Sequence, residues 1–421
     1  MTPADDYRSP AAHDFDRILY SSAYRRLAGV TQVVAVGEMQ LFHNRMTHTQ
    51  KVAQLSRRIA QYLNWDPRNE AARARLEDGR VDVDAAEAAG LAHDLGHPPF
   101  GHIAEQTLNR LCKDVDGYEG NAQSFRIVSK LSIRKTGPNL QLSRRTLDGI
   151  LKYPWTSQTK RANDTGKWGA YQTESELFGQ VRRPWKRSSQ KSIEAEIMDW
   201  ADDITYAVHD LEDFYRAGFI NLRRLKDDPV FRREFVARAL RDREDWDLEE
   251  TEELFKGLFF FIPPKLEDYA GTIQDRRNVS RLGSVFIDRY VTNTTLAPDG
   301  TLRVDDDYQK EIHLLKQLTW QFVINDPALA SLQQGQVRVI EELYGGLRSW
   351  VVAEADRQRL PTRLRDLITA SGSEKYASED ARIARCLADY IASLTEDQAL
   401  DLHGRLYGQI RASIDATWVA Y

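Results

Sequence analysis

The sequence predicts a mainly α protein, and three observations carry that expectation. Helix breakers are scarce: 24 glycines and 14 prolines are spread through 421 residues, and no Gly/Ser/Pro-rich linker divides the chain. Apolar residues recur at three- and four-residue steps through long charged stretches, the spacing of one helix face. Strand–helix alternation is missing, as is any repeat of roughly 20–50 residues, which argues against a parallel α/β sheet or a solenoid.

The elements follow in order. Thr31 to Val36 reads as a short segment able to pair locally. From Arg45 to Leu63, one helix face carries His48, Val52, Leu55, Ile59 and Tyr62. Ala85 to Leu95 is alanine-rich and runs into Gly96 and His97-Pro98-Pro99, predicting a helix closed by a C-terminal glycine and a proline stop. A helix restarts over Ile103 to Leu111. Ser192 to Phe214 predicts another, with Ile197, Ala201, Ile204, Val208 and Leu211 on its buried stripe. Val291 to Thr295 and Leu302 to Val304 flank Pro298-Asp299-Gly300, a turn signal that predicts a small β-hairpin. Leu360 to Ile368 and Ala381 to Leu394 predict charged C-terminal helices.

Composition narrows the function classes. With 58 basic against 63 acidic side chains the formal charge is −5, which is not the coating of positive charge that a general nucleic-acid binder carries. Apolar residues at 42% and charged residues at 29% are ordinary for a globular chain and exclude extensive disorder. The purest apolar run, Leu258 to Ile262 before Pro263-Pro264, is far shorter than the ~20 residues that span a bilayer. The first residues have neither a basic flank nor an apolar core, so no signal peptide is expected. Cys112 and Cys386 form no pairing pattern and fit a reducing compartment. The expectation is a soluble cytoplasmic protein with no membrane partner.

One stretch departs from this average. Tyr153 to Ser192 holds Lys160, Arg161, Lys167, Arg182, Arg183, Lys186, Arg187 and Lys191, interleaved with Tyr153, Trp155, Trp168, Tyr171, Phe178 and Trp185. Cations meet phosphate and rings stack on bases, so residues 153–192 form a candidate surface for single-stranded nucleic acid. The competing reading is a solvated loop whose aromatics anchor it to the core.

Histidine points to chemistry. Five of the nine histidines lie between positions 43 and 102, and three fall in LAHDLGHPPFGH. Imidazole is chiefly a metal ligand or a proton carrier. His93 and Asp94 are adjacent near the end of an apolar helix, their directions ~100° apart, so a cation in the angle between them is within reach of both. His48 sits on the apolar face of its own helix, three residues after Arg45. Asp202 and Asp203 lie mid-helix in MDWADDITYAVHDLED among buried-type residues, where a carboxylate must be paired, metal-bound or exposed. Asp202, Tyr206 and Asp210 drift by only ~40° per step and line one face. Glu212 and Asp213 read as a solvated face.

These stretches together resemble the HD-domain superfamily of metal-dependent phosphohydrolases and, more narrowly, the deoxyguanosine triphosphate triphosphohydrolase (dGTPase-like) family. The resemblance rests on YRRLAGVTQV, HNRMTHTQKVAQLSRRIA, GLAHDLGHPPFGHIAEQTLN, LKYPW, KWGAYQTESELF, EAEIMDWADDITYAVHDLEDF and LADYIASLTEDQAL, from about residue 15 to 400. It implies an HD-domain helical core over about 15–220 and a C-terminal helical extension over about 221–421, one unit spanning 1–421. It also implies that His48, His93, Asp94 and Asp202 hold a divalent metal ion, with Asp203 the alternative fourth ligand because the tandem pair leaves the register open by one. Mg, Mn, Co, Ni and Fe all suit two histidines with two aspartates.

Arg45 matches an arginine expected to hold a phosphate. His102 and Glu105 match a catalytic histidine and its supporting carboxylate; His97 matches a further histidine near the phosphates. Tyr206 and Asp210 match sugar-contacting residues. The implied reaction is hydrolysis of a deoxynucleoside triphosphate to deoxynucleoside and tripolyphosphate, and relatives commonly assemble as hexamers or other homo-oligomers. The family often has a glycine between the PPFGH histidine and the glutamate, where this chain has Ile103-Ala104. The other readings are a different HD phosphohydrolase (a nucleotidase or phosphodiesterase) and a single-stranded nucleic-acid-binding regulatory protein.

Overall fold

The stripe of Val52, Leu55 and Ile59 becomes a packed face of the helix Arg45–Trp65, where all three are buried together with Leu63. Asn44 starts that helix by accepting a hydrogen bond from the Thr47 N–H, satisfying one of the donors a helix start leaves open. The structure is a computed structural model and describes residues 6–33, 42–134, 137–185, 189–262 and 269–409. Among these residues are twenty α-helices and two antiparallel two-stranded sheets, so the fold is mainly α. No helix is long and apolar enough to cross a membrane among the described residues.

Three helices build the centre. Arg45–Trp65 packs against Val83–Ala92, whose alanines let the two backbones approach, and both pack on Ile193–Arg216. Ile197, Ala201, Ile204, Val208 and Leu211 of the last helix are buried, as the sequence predicts. They enter a core that continues into Phe235, Phe255, Phe286 and Leu318. Each large side chain so buried contributes ~1.5–3 kcal/mol.

A second core joins Phe100, Ala104 and Leu108 to Ile340, Leu343, Leu347, Leu387 and Ile391 of later helices. A third gathers Tyr24, Leu27, Leu91, Leu95 and Phe125. The segment after Ala92 is therefore gripped from two sides.

Several local expectations change. The helix expected over Ala85 to Leu95 ends at Ala92 and gives way to a turn, so His93 and Asp94 stand just beyond its end. Gly96 is not a left-handed cap. A Cβ there would lie 2.1 Å from the Gly120 carbonyl oxygen and 2.3 Å from the Ser124 nitrogen, so close approach of backbone is what demands glycine.

The hairpin forms as Thr294–Leu296 against Leu302–Val304, with Gly300 at φ +89° in its turn, but Val291 lies in the last turn of the helix Ile273–Thr292 instead of starting the strand. A second pair, Ile133–Arg134 with Gly137–Pro138, carries no signal in the sequence. Of the segment Thr31 to Val36, Thr31 bridges Asn44, whereas residues 34–36 lie outside the described residues, as do Pro263 and Pro264. The charged C-terminal helices run over Thr362–Ala370 and Glu379–Ala392. Asp213 is buried, not solvated: its carboxylate accepts from both the backbone N–H and the Nδ1 of His43.

Candidate active site

His48, midway along its helix face, meets Asp202 from the Ile193–Arg216 helix, Nε2 to Oδ1 at 3.0 Å. His93 enters from the turn after Ala92, and ligand-type atoms of His48, His93 and Asp202 all lie within 4.8 Å of one another. Asp94 adjoins them, its Oδ1 3.4 Å from His93 Nε2. Three separated segments thus converge. Of the tandem pair, Asp202 is the one that meets His48, whereas Asp203 accepts from Lys316 Nζ at 2.8 Å.

The cluster has the character of a cation site. His93 Nδ1 donates to the Gly90 carbonyl at 2.7 Å, which fixes the ring orientation and turns Nε2 inward. That Nε2 is buried, makes no hydrogen bond among the described residues, and faces Asp94 Oδ1 at 3.4 Å and Asp202 Oδ1 at 3.6 Å. Burial pulls the His93 imidazole down, yet the negative field of Asp94 and Asp202 prevails and pushes it up to about 9. Positive charge is wanted here. Burial lowers the pKa of His48, keeping it in the neutral form that binds metal. Against their own burial, Asp94 is held well below the carboxylate range by His97, His93 and Arg45, and Asp202 by Lys152, His48 and His93. Two imidazoles and two ionised carboxylates fit a divalent ion of borderline hardness.

Beside this cluster stands a second group, His97, His102 and Glu105. His102 opens the helix His102–Leu111 after Gly101, which holds φ +58°. Its side chain is 64% exposed and its Nδ1 lies 2.9 Å from Glu105 Oε2, one turn along the same helix. Glu105 is buried, yet His102, His97 and Lys167 hold it ionised, well below its ordinary range. An exposed imidazole braced by a buried carboxylate is the geometry of a proton carrier. His97 links the groups, Nδ1 to Asp94 Oδ1 at 3.0 Å, and burial with nearby Arg45 lowers it to about 4.

The remaining expected residues flank these two groups. Arg45 is buried and donates to Asp94 Oδ2 at 2.7 Å, so part of its guanidinium positions that carboxylate. Tyr206 lines a cleft shared with His102. Asp210, one turn beyond Tyr206, is buried with Oδ2 unpartnered; burial, then Asp213 and Asp202, push its pKa well above the usual range.

Sequence reasoning missed several contributors. Lys152, in LKYPW, bridges Asp199 Oδ1 and Asp202 Oδ2 at 2.8 and 2.9 Å. Lys167, counted above among a polyanion surface, instead reaches Glu105 at 2.9 Å and Glu119 at 3.2 Å. Arg26, in YRRLAG, donates to the carbonyls of Leu95 and His97 and so shapes the turn that presents His93 and Asp94. The quoted motifs contain all three, but nothing in their spacing shows where they point. Within 153–192, Trp155, Trp168 and Tyr171 are buried in one small cluster, and Arg182 is buried against Asp148. Those rings anchor the segment and present no stacking face to a base. Lys186 and Arg187 lie outside the described residues.

Comparison with known proteins agrees with this geometry. The HD domain model matches residues 45–207, and the phosphohydrolase-associated domain model matches 302–405. Three similar relatives each carry the name deoxyguanosinetriphosphate triphosphohydrolase-like protein. That of Streptomyces coelicolor is 33% identical, covering 95% of this chain and 93% of the relative. The Corynebacterium efficiens protein is 31% identical, covering 93% and 90%. The Shewanella sediminis protein is 30% identical, covering 96% and 93%. With likeness of that depth along nearly the whole of both chains, and with the His-Asp cluster its motifs require, this chain belongs to the HD-domain family of deoxyguanosinetriphosphate triphosphohydrolase-like phosphohydrolases.

Proposed function

We propose that the protein hydrolyses deoxynucleoside triphosphates at the bond between the 5′ oxygen and the α-phosphorus, releasing a deoxynucleoside and tripolyphosphate. The observation that carries this reading is the convergence of His48, His93, Asp94 and Asp202 on one point, with His93 Nε2 turned inward, beside the exposed His102 and buried Glu105. His48, His93, Asp94 and Asp202 would hold the divalent ion, Mg or Mn or another of the first-row metals named above. When bound, such an ion withdraws electron density from phosphate and steadies the charge that builds on its oxygens.

The rest is side-chain work. His102 takes the proton from the attacking water or gives one to the leaving 5′ oxygen, a contribution of ~10²–10⁴-fold. Glu105 fixes the orientation of the ring. Arg45, His97, Lys152 and Lys167 gather the polyphosphate by charge and hydrogen bonding. Tyr206 packs on the sugar, where a 2′-hydroxyl would crowd it, and the unpartnered Asp210 oxygen is available to a sugar hydroxyl.

The test is product analysis with all four deoxynucleotides and Mn or Mg. Tripolyphosphate together with free deoxynucleoside supports the reading. Release of monophosphate, or turnover of cyclic nucleotides alone, would move the protein to another HD phosphohydrolase activity. A cytoplasmic location is proposed with it, because both buried cysteines are free. A homo-oligomer, a hexamer included, is proposed on the family resemblance.

A further inference from the structure

His43 and Lys51 belong neither to the His-Asp cluster nor to the His102–Glu105 pair, yet they form a chain with Asp213. His43 Nδ1 donates to Asp213 Oδ2 at 2.5 Å, and Lys51 Nζ lies 2.5 Å from His43 Nε2. The backbone N–H of His43 donates to the same carboxylate oxygen, and the His209 ring packs 5.5 Å from the imidazole, centroid to centroid. His43 stands just before the helix Arg45–Trp65, Lys51 lies within it, and Asp213 lies in the last turn of Ile193–Arg216. Arg216 Nη1 is 3.9 Å from the other Asp213 oxygen.

The partner of Lys51 sets it apart from the other lysines around the site. Lys152 meets Asp199 and Asp202, Lys167 meets Glu105 and Glu119, Lys191 meets Asp199, and Lys316 meets Asp203. An ammonium beside a carboxylate is an ion pair, with no base at hand to draw off its proton near neutral pH. Lys51 meets a ring nitrogen, a group that takes protons in that range. Burial lowers the pKa of Lys51, against the pull of Glu212 and Asp213.

An ammonium has no lone pair with which to attack carbon, and a neutral amine does. An activated nucleophile has a base within hydrogen-bond reach and a third group that orients the base. Lys51, His43 and Asp213 have that arrangement. Two nitrogens 2.5 Å apart share a proton, and the Asp213 carboxylate steadies the ring when the ring holds it. Lys51 is half-buried and the His43 side chain is 20% exposed, so the pair is open to a small reagent.

We propose that Lys51 is an acylation site: its Nζ takes the acyl group of a small activated donor, an acyl phosphate or a thioester, with His43 as the base and Asp213 orienting it. Nζ attacks the carbonyl carbon and a C–N bond forms. The bond from that carbon to phosphate oxygen or thiol sulfur breaks, and its electron pair leaves with the phosphate or thiolate. The Nζ proton passes to His43 Nε2 and from there to the leaving group or solvent. The product is a neutral amide one turn beyond His48 on the same helix. This modification is independent of the reaction assigned to the His-Asp cluster.

The test treats the folded full chain near neutral pH with acetyl phosphate in one arm and a small acetyl thioester in the other, at low conversion. Peptide mass spectrometry reads the acetylated fraction at each lysine. Lys51 should react about tenfold or more faster than the exposed Lys113 and Lys375, and the faster arm identifies the donor class. His43→Gln keeps a polar side chain that cannot take a proton. It should bring Lys51 down to the level of those two lysines while their own labelling is unchanged. Should that variant not fold, Asp213→Asn, which keeps an oxygen for the His43 N–H, should slow Lys51 alone. Labelling of Lys51 no faster than that of Lys113 and Lys375 in both arms, or a rate indifferent to these substitutions, would overturn the proposal.

Discussion

The carboxylate of Glu396 accepts the backbone N–H of Phe100 at 3.1 Å, across 296 residues of chain, and the same oxygen accepts the Thr31 N–H at 2.7 Å. Phe100 holds φ +66°, a left-handed conformation that a bulky residue rarely adopts. Its ring is buried in the core shared with the C-terminal helices, and it stands two residues before His102. A side chain from the C-terminal region thus fixes the loop that aims the proposed proton carrier.

Glu396→Ala strands two buried N–H donors, each worth ~1–3 kcal/mol, and frees the strained loop. Turnover should fall along with a drop of a few kcal/mol in unfolding free energy. Glu396→Gln, which keeps an acceptor oxygen, should recover most of both. Denaturant titration and steady-state rates on the two variants check this; equal damage from both would show that charge, not the hydrogen bonds, is what matters.

His93→Ala should lose bound metal and activity together, because it removes the imidazole whose inward Nε2 faces Asp94 and Asp202. His102→Ala should retain metal while turnover drops by ~10²–10⁴-fold. Metal content by elemental analysis, beside turnover, separates the two roles. Both variants remaining active would end the assignment.

Arg126 is buried with its Nε and Nη2 on Asp389, while Nη1 reaches Glu174 at 2.7 Å. Asp389→Ala removes the partner of two guanidinium nitrogens in a buried site, at an expected cost of ~3–5 kcal/mol. A shift in the unfolding midpoint equivalent to under ~1 kcal/mol would show that the remaining carboxylates suffice.

Glu196 carries the pH prediction. Burial pushes its carboxyl up to about 7 from an ordinary 4.5, while the Leu302 N–H donates to it at 2.6 Å and partly opposes the shift. Its folded pKa is the higher one, so the native state holds a proton that the unfolded chain gives up. Its contribution is favourable below pH 4.5, fades as pH rises, and is lost above about 7. Gln cannot ionise and still accepts from Leu302. Glu196→Gln should therefore stabilise the protein by ~1–3 kcal/mol more at pH 8 than at pH 5. Unfolding free energies of both proteins at the two pH values decide it, and a pH-independent difference would refute the shift.

How legible the molecule was in its sequence varies by residue. The stripe Ile197, Ala201, Ile204, Val208 and Leu211 was readable because helix periodicity is local, and so was the turn at Pro298-Asp299-Gly300. Asp213 was misread as solvated because its partner, His43, lies on a distant segment. Gly96 was misread as a cap because a close approach from Gly120 and Ser124 leaves no mark in the neighbouring residues. Trp155, Trp168 and Tyr171 looked like a stacking surface because composition names rings without saying which way they face.

The sequence by itself determined the helical class, the residue types able to hold a cation and the family they resemble, since each follows from local periodicity or from motifs short enough to read in one stretch. Only the tertiary structure decided that Asp202, not Asp203, joins His48 and His93, that Glu396 and Arg26 brace the loops beside them, and that glutamines line the cleft next to His102. Those are contacts between segments far apart in the chain, and side-chain direction at such contacts is set by how whole helices pack.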